Sequence, residues 1–76
     1  MNNTIYSEKY KKIINRIREA RIYSGFTQEE VAKKLGKPQS YIAKCELGER
    51  RMDMVEILEL ANIYKKSVNW FLKDLK

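Results

Sequence analysis

The sequence predicts an all-α domain of five short helices, and three observations support this prediction. The chain has 76 residues, which is enough for one domain. Apolar residues recur along it at spacings of three and four, as they do on one face of a helix. Its glycines and its proline divide it into segments of helical length, at Gly25, Gly36, Pro38 and Gly48. We expect residues 1–6 to be a flexible N-terminus and residues 7–76 a single domain.

The first two helices have clear predicted ends. Ser7 can cap the first helix, and Gly25 ends it because glycine adopts the left-handed conformation at little cost. Thr27, with Glu30 three residues later, has the pattern of a capping box and starts the second helix, which Gly36 ends. In the first helix the apolar positions are Tyr10, Ile13, Ile14 and Ile17, and Arg21 continues the same spacing. In the second helix they are Val31, Ala32 and Leu35.

The third helix is predicted from about Pro38 to Leu47, with the proline tolerated in the first turn. Its periodicity separates two sets of side chains. We expect Ile42, Cys45 and Glu46 to face inward. The remaining faces carry Gln39, Ser40, Tyr41 and Lys44.

Two more helices complete the prediction. Asp53 caps the fourth helix, and Lys65 and Lys66 suit the negative end of its dipole. Ser67 caps the fifth helix. Their expected core positions are Met54, Ile57, Leu58, Ala61 and Tyr64, and then Val68, Phe71, Leu72 and Leu75.

Composition narrows the class of function. A net charge of +6 favours polyanionic partners, and charge alone does not choose between nucleic acid and an acidic membrane surface. One cysteine and no histidine exclude a disulfide framework and the common zinc sites, so we expect no metal and no cofactor. No activated nucleophile is apparent, which predicts that the chain is not an enzyme. We also expect a cytoplasmic protein, since the sequence shows neither a long apolar run nor a signal peptide.

The polar side chains of the third helix are types that read DNA. A helix of this length fits the major groove when a second helix braces it. Gln39 can form paired hydrogen bonds to adenine, Lys44 can reach guanine acceptors, and Ser40 can bond to either class of base. These three residues are therefore candidate base-reading positions on double-stranded DNA.

Two stretches of the chain together resemble the Xre-like helix-turn-helix family, which includes the phage Cro and cI-type repressors. They are Gly25–Gly36 (GFTQEEVAKKLG) and Gln39–Arg51 (QSYIAKCELGERR), within a likeness that covers about Ile17 to Leu72. The resemblance implies a five-helix, lambda-repressor-like DNA-binding domain whose helices 2 and 3 form the helix-turn-helix. It also implies a transcriptional regulator, most simply a repressor, that binds a palindromic operator as a homodimer.

The resemblance implies roles for individual residues. Base contacts would come from Gln39, Ser40, Tyr41 and Lys44, and phosphate contacts from Thr27, Gln28, Lys37, Arg50 and Arg51. Arg21 and Glu46 would form a buried structural ion pair between the first and third helices. Cys45, Met52 and the Lys65–Lys66 pair depart from the family pattern, so local packing and the turn before the fifth helix are left open.

Other interpretations remain beside this one. Trp70 and Phe71 can both be core residues, or can form part of a dimer interface through the fifth helix, which is the hypothesis we take forward. The same fold can serve as a protein-interaction module, such as an antitoxin or adaptor. A basic amphipathic protein at a membrane surface is a third possibility, for which the helices would need wide exposed apolar faces. Cys45 is expected to be a buried apolar residue and not a redox sensor.

Overall fold

A computed structural model describes residues 7–75 of the chain. Within that range there are five helices and no strand, so the all-α prediction is confirmed. The helices are α1 (Glu8–Ser24), α2 (Gln28–Leu35), α3 (Gln39–Glu46), α4 (Met54–Tyr64) and α5 (Val68–Leu72). The expected flexible N-terminus, residues 1–6, lies outside the described residues.

The predicted caps form at four helix starts. The side chains of Ser7, Thr27, Asp53 and Ser67 each accept a hydrogen bond from the backbone N–H three residues later. The capping box of α2 is complete, because the backbone N–H of Thr27 also donates to Glu30 Oε1 at 2.8 Å. Pro38 differs from its prediction: it lies before the first turn of α3 as the N-cap residue, with an extended backbone. Local sequence signals therefore determine most of the helix boundaries.

The core is a single cluster to which all five helices contribute. α2 and α3 pack on each other, and α1 lies against α3, α4 and α5. The side chains that are almost completely buried include Ile17, Val31, Cys45, Leu60 and Phe71. This packing holds α3 against α1 and α2 on one side and leaves its other side at the surface, which is the arrangement that positions the candidate site.

The buried face of α4 was predicted only in part, since Ala61 and Tyr64 are buried as expected and Ile57 packs against the core. Met54 and Leu58, which we expected in the core, are exposed, and Leu60 is buried. The helix carries two overlapping apolar stripes, and the one that contacts the other helices runs through Leu60, Ala61 and Tyr64. The expected fifth helix is also shorter than predicted, because it ends at Leu72, whose side chain is exposed.

The turn between α4 and α5 forms without a glycine. Lys65 adopts the left-handed conformation with φ = 57°, and its N–H donates to the carbonyl of Asn62 at 3.2 Å. The N–H of Lys66 donates to the carbonyl of Ala61 at 2.9 Å. These bonds satisfy carbonyls at the end of α4, which offsets a backbone cost of about 1 kcal/mol for a residue other than glycine.

Candidate nucleic-acid interface

The two sides of α3 have different surroundings. Gln39, Ser40 and Lys44 are exposed to solvent. Ile42 and Cys45 are buried against the rest of the protein. Cys45 therefore packs as a small apolar side chain, and burial raises the pKa of its thiol. The helix thus presents one polar side outward and is fixed by the other.

Gln39 is oriented by a relay of side-chain hydrogen bonds. Its Nε2 donates to Gln28 Oε1 at 2.9 Å, and Gln28 Nε2 donates to Glu46 Oε1 at 3.0 Å. The single bond to Gln28 uses one of the two amide N–H donors of Gln39. Gln28 was predicted only as a phosphate contact, and the structure gives it this second role, which its position at the start of α2 did not indicate.

Arg21 and Glu46 form a bidentate ion pair between α1 and the end of α3. Arg21 Nε lies 2.6 Å from Glu46 Oε2, and Arg21 Nη2 donates to Glu46 Oε1 at 3.0 Å. The side chains are only 12% and 4% exposed. Arg21 Nη1 donates to the carbonyl of Phe26 at 2.9 Å, and the hydrogen bond to Glu46 raises the pKa of the guanidinium. The pair therefore fixes the angle at which α3 meets the body of the domain.

Tyr41 does not lie on the outer side of α3, so its predicted base-reading role is wrong. Its side chain is 8% exposed, and burial raises the pKa of its hydroxyl group. The reason is helical geometry: residues 41 and 45 lie one turn apart and share the inward face with residue 42. Because α3 is so short, its apolar periodicity was not enough to show that Tyr41 lies on the inward side beside Ile42.

Tyr41 instead organises two cations that were predicted to contact phosphate. Lys37 Nζ lies 5.0 Å and Arg50 Cζ lies 4.8 Å from the centroid of its ring. Both are cation–π distances. Lys37 precedes α3 and Arg50 follows it, so one buried ring holds charges from both ends of the helix.

Glu56 of α4 completes this group, which we call the Tyr41 clamp (Lys37, Tyr41, Arg50 and Glu56). Its Oε2 lies 3.7 Å from Lys37 Nζ, and its Oε1 accepts a hydrogen bond from the backbone N–H of Asp53 at 3.1 Å. Burial would raise the pKa of Glu56, but the neighbouring Tyr41 hydroxyl, the Asp53 N–H and Lys37 outweigh it and lower the pKa. Sequence reasoning missed Glu56; its position three residues after Asp53, a second capping-box pattern, was the available signal.

The N-terminus of α3 is the exception among the helices of residues 7–75. It has no side-chain cap and no acidic residue in its first turn. Each of the other four helices has a capping side chain, and α1, α2 and α4 also have an acidic residue in the first turn. Helix N-termini attract anions through their free N–H groups and their dipole. The beginning of α3 is therefore compatible with a nearby phosphate.

The remaining predicted phosphate residues lie at the edges of this surface. Thr27 is exposed, and its hydroxyl oxygen serves as the cap of α2. Arg51 is exposed and its guanidinium lies 4.7 Å from the ring centroid of Tyr10. The hydroxyl of Tyr10 accepts a hydrogen bond from the N–H of Met52 at 3.2 Å, which ties this loop to α1. Met52 itself is buried, so the loop is well packed without proline.

The predicted dimer contact through Phe71 is wrong. Phe71 is 0% exposed, and its ring packs edge-on against Trp70 with 5.1 Å between ring centroids. A residue that fills the core of one subunit cannot also contact another. Trp70 is half-buried and remains partly available at the surface.

The fold and the outward polar side of α3 define a helix-turn-helix domain of the kind found in DNA-binding regulators. A helix-turn-helix family model matches residues 17–71. The chain therefore belongs to the Cro/C1-type, Xre-like helix-turn-helix family, which is a family of regulatory DNA-binding domains and not of enzymes. None of the curated proteins compared with the chain matches it. In residues 7–75, no helix has both the length and the apolar character needed to cross a membrane.

Proposed function

We propose that this regulator is a transcriptional repressor that binds a palindromic operator as a homodimer, with α3 of each subunit in the major groove. The observation that carries the proposal is the two-sided environment of α3. Gln39, Ser40 and Lys44 are exposed on a helix whose opposite side is locked into the core. Side chains on a fixed helix can meet base edges with a defined register.

Gln39 is the principal base-reading residue in this proposal. A glutamine amide pairs with adenine by donating to N7 and accepting from N6. The hydrogen bond to Gln28 uses one donor of Gln39 and holds the amide in place before DNA arrives. Lys44 lies on the same helix one turn after Ser40 and would contact guanine acceptors, with Ser40 bonding to either base class.

Phosphate contacts would come from both ends of α3. In the Tyr41 clamp, Lys37 and Arg50 are held in position before binding, which lowers the conformational entropy lost when a phosphate is engaged. Thr27, Gln28 and Arg51 would contact the backbone nearby. Affinity should then fall with salt by about 0.9 log unit per log unit of salt for each phosphate neutralised.

The exposed face of α4 is our candidate for the homodimer interface in place of Phe71. Met54, Val55 and Leu58 are exposed apolar side chains on this helix. Antiparallel packing of two α4 helices would bring the acidic Asp53 end of each toward the Lys65 end of the other. Opposite charges and opposed dipoles therefore complement the apolar contact between two copies.

Selection from a random duplex pool is the first test of operator binding. We expect one enriched site with two inverted half-sites whose centres are about 34 Å apart. Gln39→Ala should weaken binding to that site by about 1 to 3 kcal/mol and change binding to scrambled DNA little. Asn69→Ala, on α5 and exposed, is the matched control and should match the parent. Equal losses on both duplexes would exclude Gln39 from base reading.

The dimer and the regulatory outcome have separate tests. In sedimentation velocity, Leu58→Glu should convert dimer to monomer, while Leu72→Glu, an exposed apolar position on α5, should not. A parent protein that stays monomeric on the selected duplex would rule out the dimer. With the selected site placed across a promoter, expression of the protein should lower reporter output, and a rise would indicate an activator.

A further inference from the structure

A second surface lies between α1 and the α4–α5 region, and its residue Ile22 also borders a pocket that Gln28 and Gln39 line. This second surface is a cleft of about 500 Å³, which we call the Tyr23 cleft, lined by Glu19, Ile22, Tyr23, Lys66 and Trp70. None of these residues belongs to α3 or to the Tyr41 clamp. The DNA-binding proposal therefore leaves this surface unexplained.

The cleft combines exposed aromatic surface with two nearby lysine side chains, of which Lys66 lines it together with Glu19. Tyr23 is 86% exposed, which is unusual for so large an apolar ring. Lys66 Nζ lies 5.4 Å from the ring centroid of Tyr23 and 4.8 Å from that of Trp70. Lys73 Nζ lies 5.4 Å from the centroid of Trp70. Two cations are thus held beside two rings that a partner can cover.

The base of the cleft is built on fixed parts of the fold. Trp70 packs edge-on against the buried Phe71, and Lys66 follows the hydrogen-bonded turn after α4. Arg16 of α1 donates to the carbonyls of Phe71 and Lys73, which holds the end of α5 against α1. Fixed aromatic side chains lose little entropy on binding and are enriched at the energetic centres of protein interfaces.

We propose that the Tyr23 cleft binds an acidic peptide segment of a partner protein. An apolar side chain of the peptide would lie against Ile22, Tyr23 and Trp70, which line the cleft. A neighbouring carboxylate would pair with Lys66, whose amine already faces both rings. Glu19 would accept a hydrogen bond from a peptide N–H.

The same residues disfavour two other occupants. A nucleic-acid backbone carries a negative charge at every phosphate and has no N–H group for Glu19, whereas a peptide has backbone N–H groups and can place its carboxylates away from Glu19. A second copy whose two-fold axis passes close to Lys66 would place that lysine against its own equivalent, because residues near the axis of an isologous interface meet themselves. Like charges in that arrangement oppose association. A peptide with both carboxylates and backbone donors matches the cleft better than either.

Trp70 allows a direct test, because it is the single tryptophan of the chain and lies in the cleft. Three short synthetic peptides would be titrated into the full protein while its fluorescence is followed: an acidic peptide with a central leucine, the same peptide with serine for leucine, and a basic peptide with the leucine. We expect a saturable change with the first, and binding at least about tenfold weaker with the others, a difference of about 1.4 kcal/mol.

Variants connect the signal to the cleft. Tyr23→Ala and Lys66→Glu should each weaken binding of the acidic peptide about tenfold. Asn69→Ala, exposed on α5 and outside the cleft lining, should bind like the parent. Tyr23→Ala should retain its affinity for the selected duplex, so a failure of DNA binding and a failure of peptide binding are distinguishable. Circular dichroism of each variant verifies the fold.

Four results would overturn the proposal. The first is no saturable fluorescence change up to about 1 mM acidic peptide, and the second is an equal response to the basic peptide. The third is displacement of the peptide by a single-stranded oligonucleotide that itself saturates the Trp70 signal. The fourth is a Trp70 signal that depends on protein concentration alone. The third result would assign the cleft to nucleic acid and the fourth to a second copy.

Discussion

The inward and outward sides of α3 carry polar side chains that differ in how their hydrogen-bonding groups are used. On the inward side, Glu46 accepts bonds from both Arg21 and Gln28, and the ion pair is almost fully buried. On the outward side, Gln39 donates one hydrogen bond to Gln28, and the rest of its side chain is exposed. The inward groups stabilise a geometry, and the outward groups remain available to a ligand.

Substitutions on the two sides of α3 should therefore affect different properties of the protein. Removing an inward group leaves a buried partner without its counter-charge, so both stability and binding should suffer. Removing an outward group leaves no buried group unpaired, so binding should change while the fold persists. Variants on the two sides therefore test the comparison by separating the free energy of unfolding from DNA affinity.

The largest effect is expected for Glu46→Ala. The change leaves the Arg21 guanidinium buried without its carboxylate, and the free energy of unfolding should fall by about 3 to 5 kcal/mol. Urea denaturation measures it. The double variant Arg21→Leu with Glu46→Leu should recover most of that loss, since an apolar pair needs no desolvated charge. A single variant as stable as the parent would contradict a structural role for the pair.

Replacing Tyr41 should produce an intermediate effect, on binding. Tyr41→Leu removes the ring beside Lys37 and Arg50, and DNA affinity should fall by about 1 kcal/mol with a smaller salt dependence. Tyr41→Phe keeps the ring and should restore both quantities. Fluorescence anisotropy at several salt concentrations measures them, at a temperature where each variant is folded. If leucine and phenylalanine behave alike, the ring does not position these cations.

A smaller effect is expected at the start of α3. Pro38→Asp would introduce a capping side chain and a negative charge at this end, and Pro38→Asn would introduce the cap alone. The aspartate variant should bind the selected duplex more weakly than the asparagine variant by about 0.3 to 1 kcal/mol, because its charge opposes phosphate. Equal affinities would show that no phosphate approaches this helix end.

The smallest effect concerns Glu56 and pH. Its pKa is lowered in the folded state from its ordinary value of 4.5, so its contribution to stability is present above that value and disappears as pH falls through the folded pKa. Glu56→Gln should therefore be less stable than the parent at neutral pH, and the difference should vanish in acid. Urea denaturation over this pH range measures it. A difference that persists unchanged at the lowest pH would assign it to another cause.

Much of the fold and part of the site were predictable from sequence because their causes are local. Ser7, Thr27 and Asp53 cap helices through bonds to residues three positions away, and Gly25 and Gly36 close helices by their own backbone conformation. The exposed positions of Gln39, Ser40 and Lys44 also agree with the predicted outward side of α3. The family match over residues 17–71 shows the fold and the DNA-binding class but gives no residue a role.

The errors share one cause: more than one side of each helix could have been the side that packs against the core. Tyr41 was assigned to the outward side of α3, and Phe71 was assigned to the dimer interface as well as to the core; both are buried, while Met54 and Leu58 were assigned to the core and are exposed. A short helix offers several adjacent apolar stripes, and a sequence pattern cannot tell which of them its neighbours will cover.

By itself the sequence determined the helices, their ends, the family and the excess of positive charge, because these depend on residue type and on neighbours a few positions away. Only the tertiary structure decided the relay from Glu46 through Gln28 to Gln39, the Tyr41 clamp and the Tyr23 cleft. Each of these joins residues from different helices. Their contacts depend on how the helices pack, and packing is a property of the whole core and not of any local pattern.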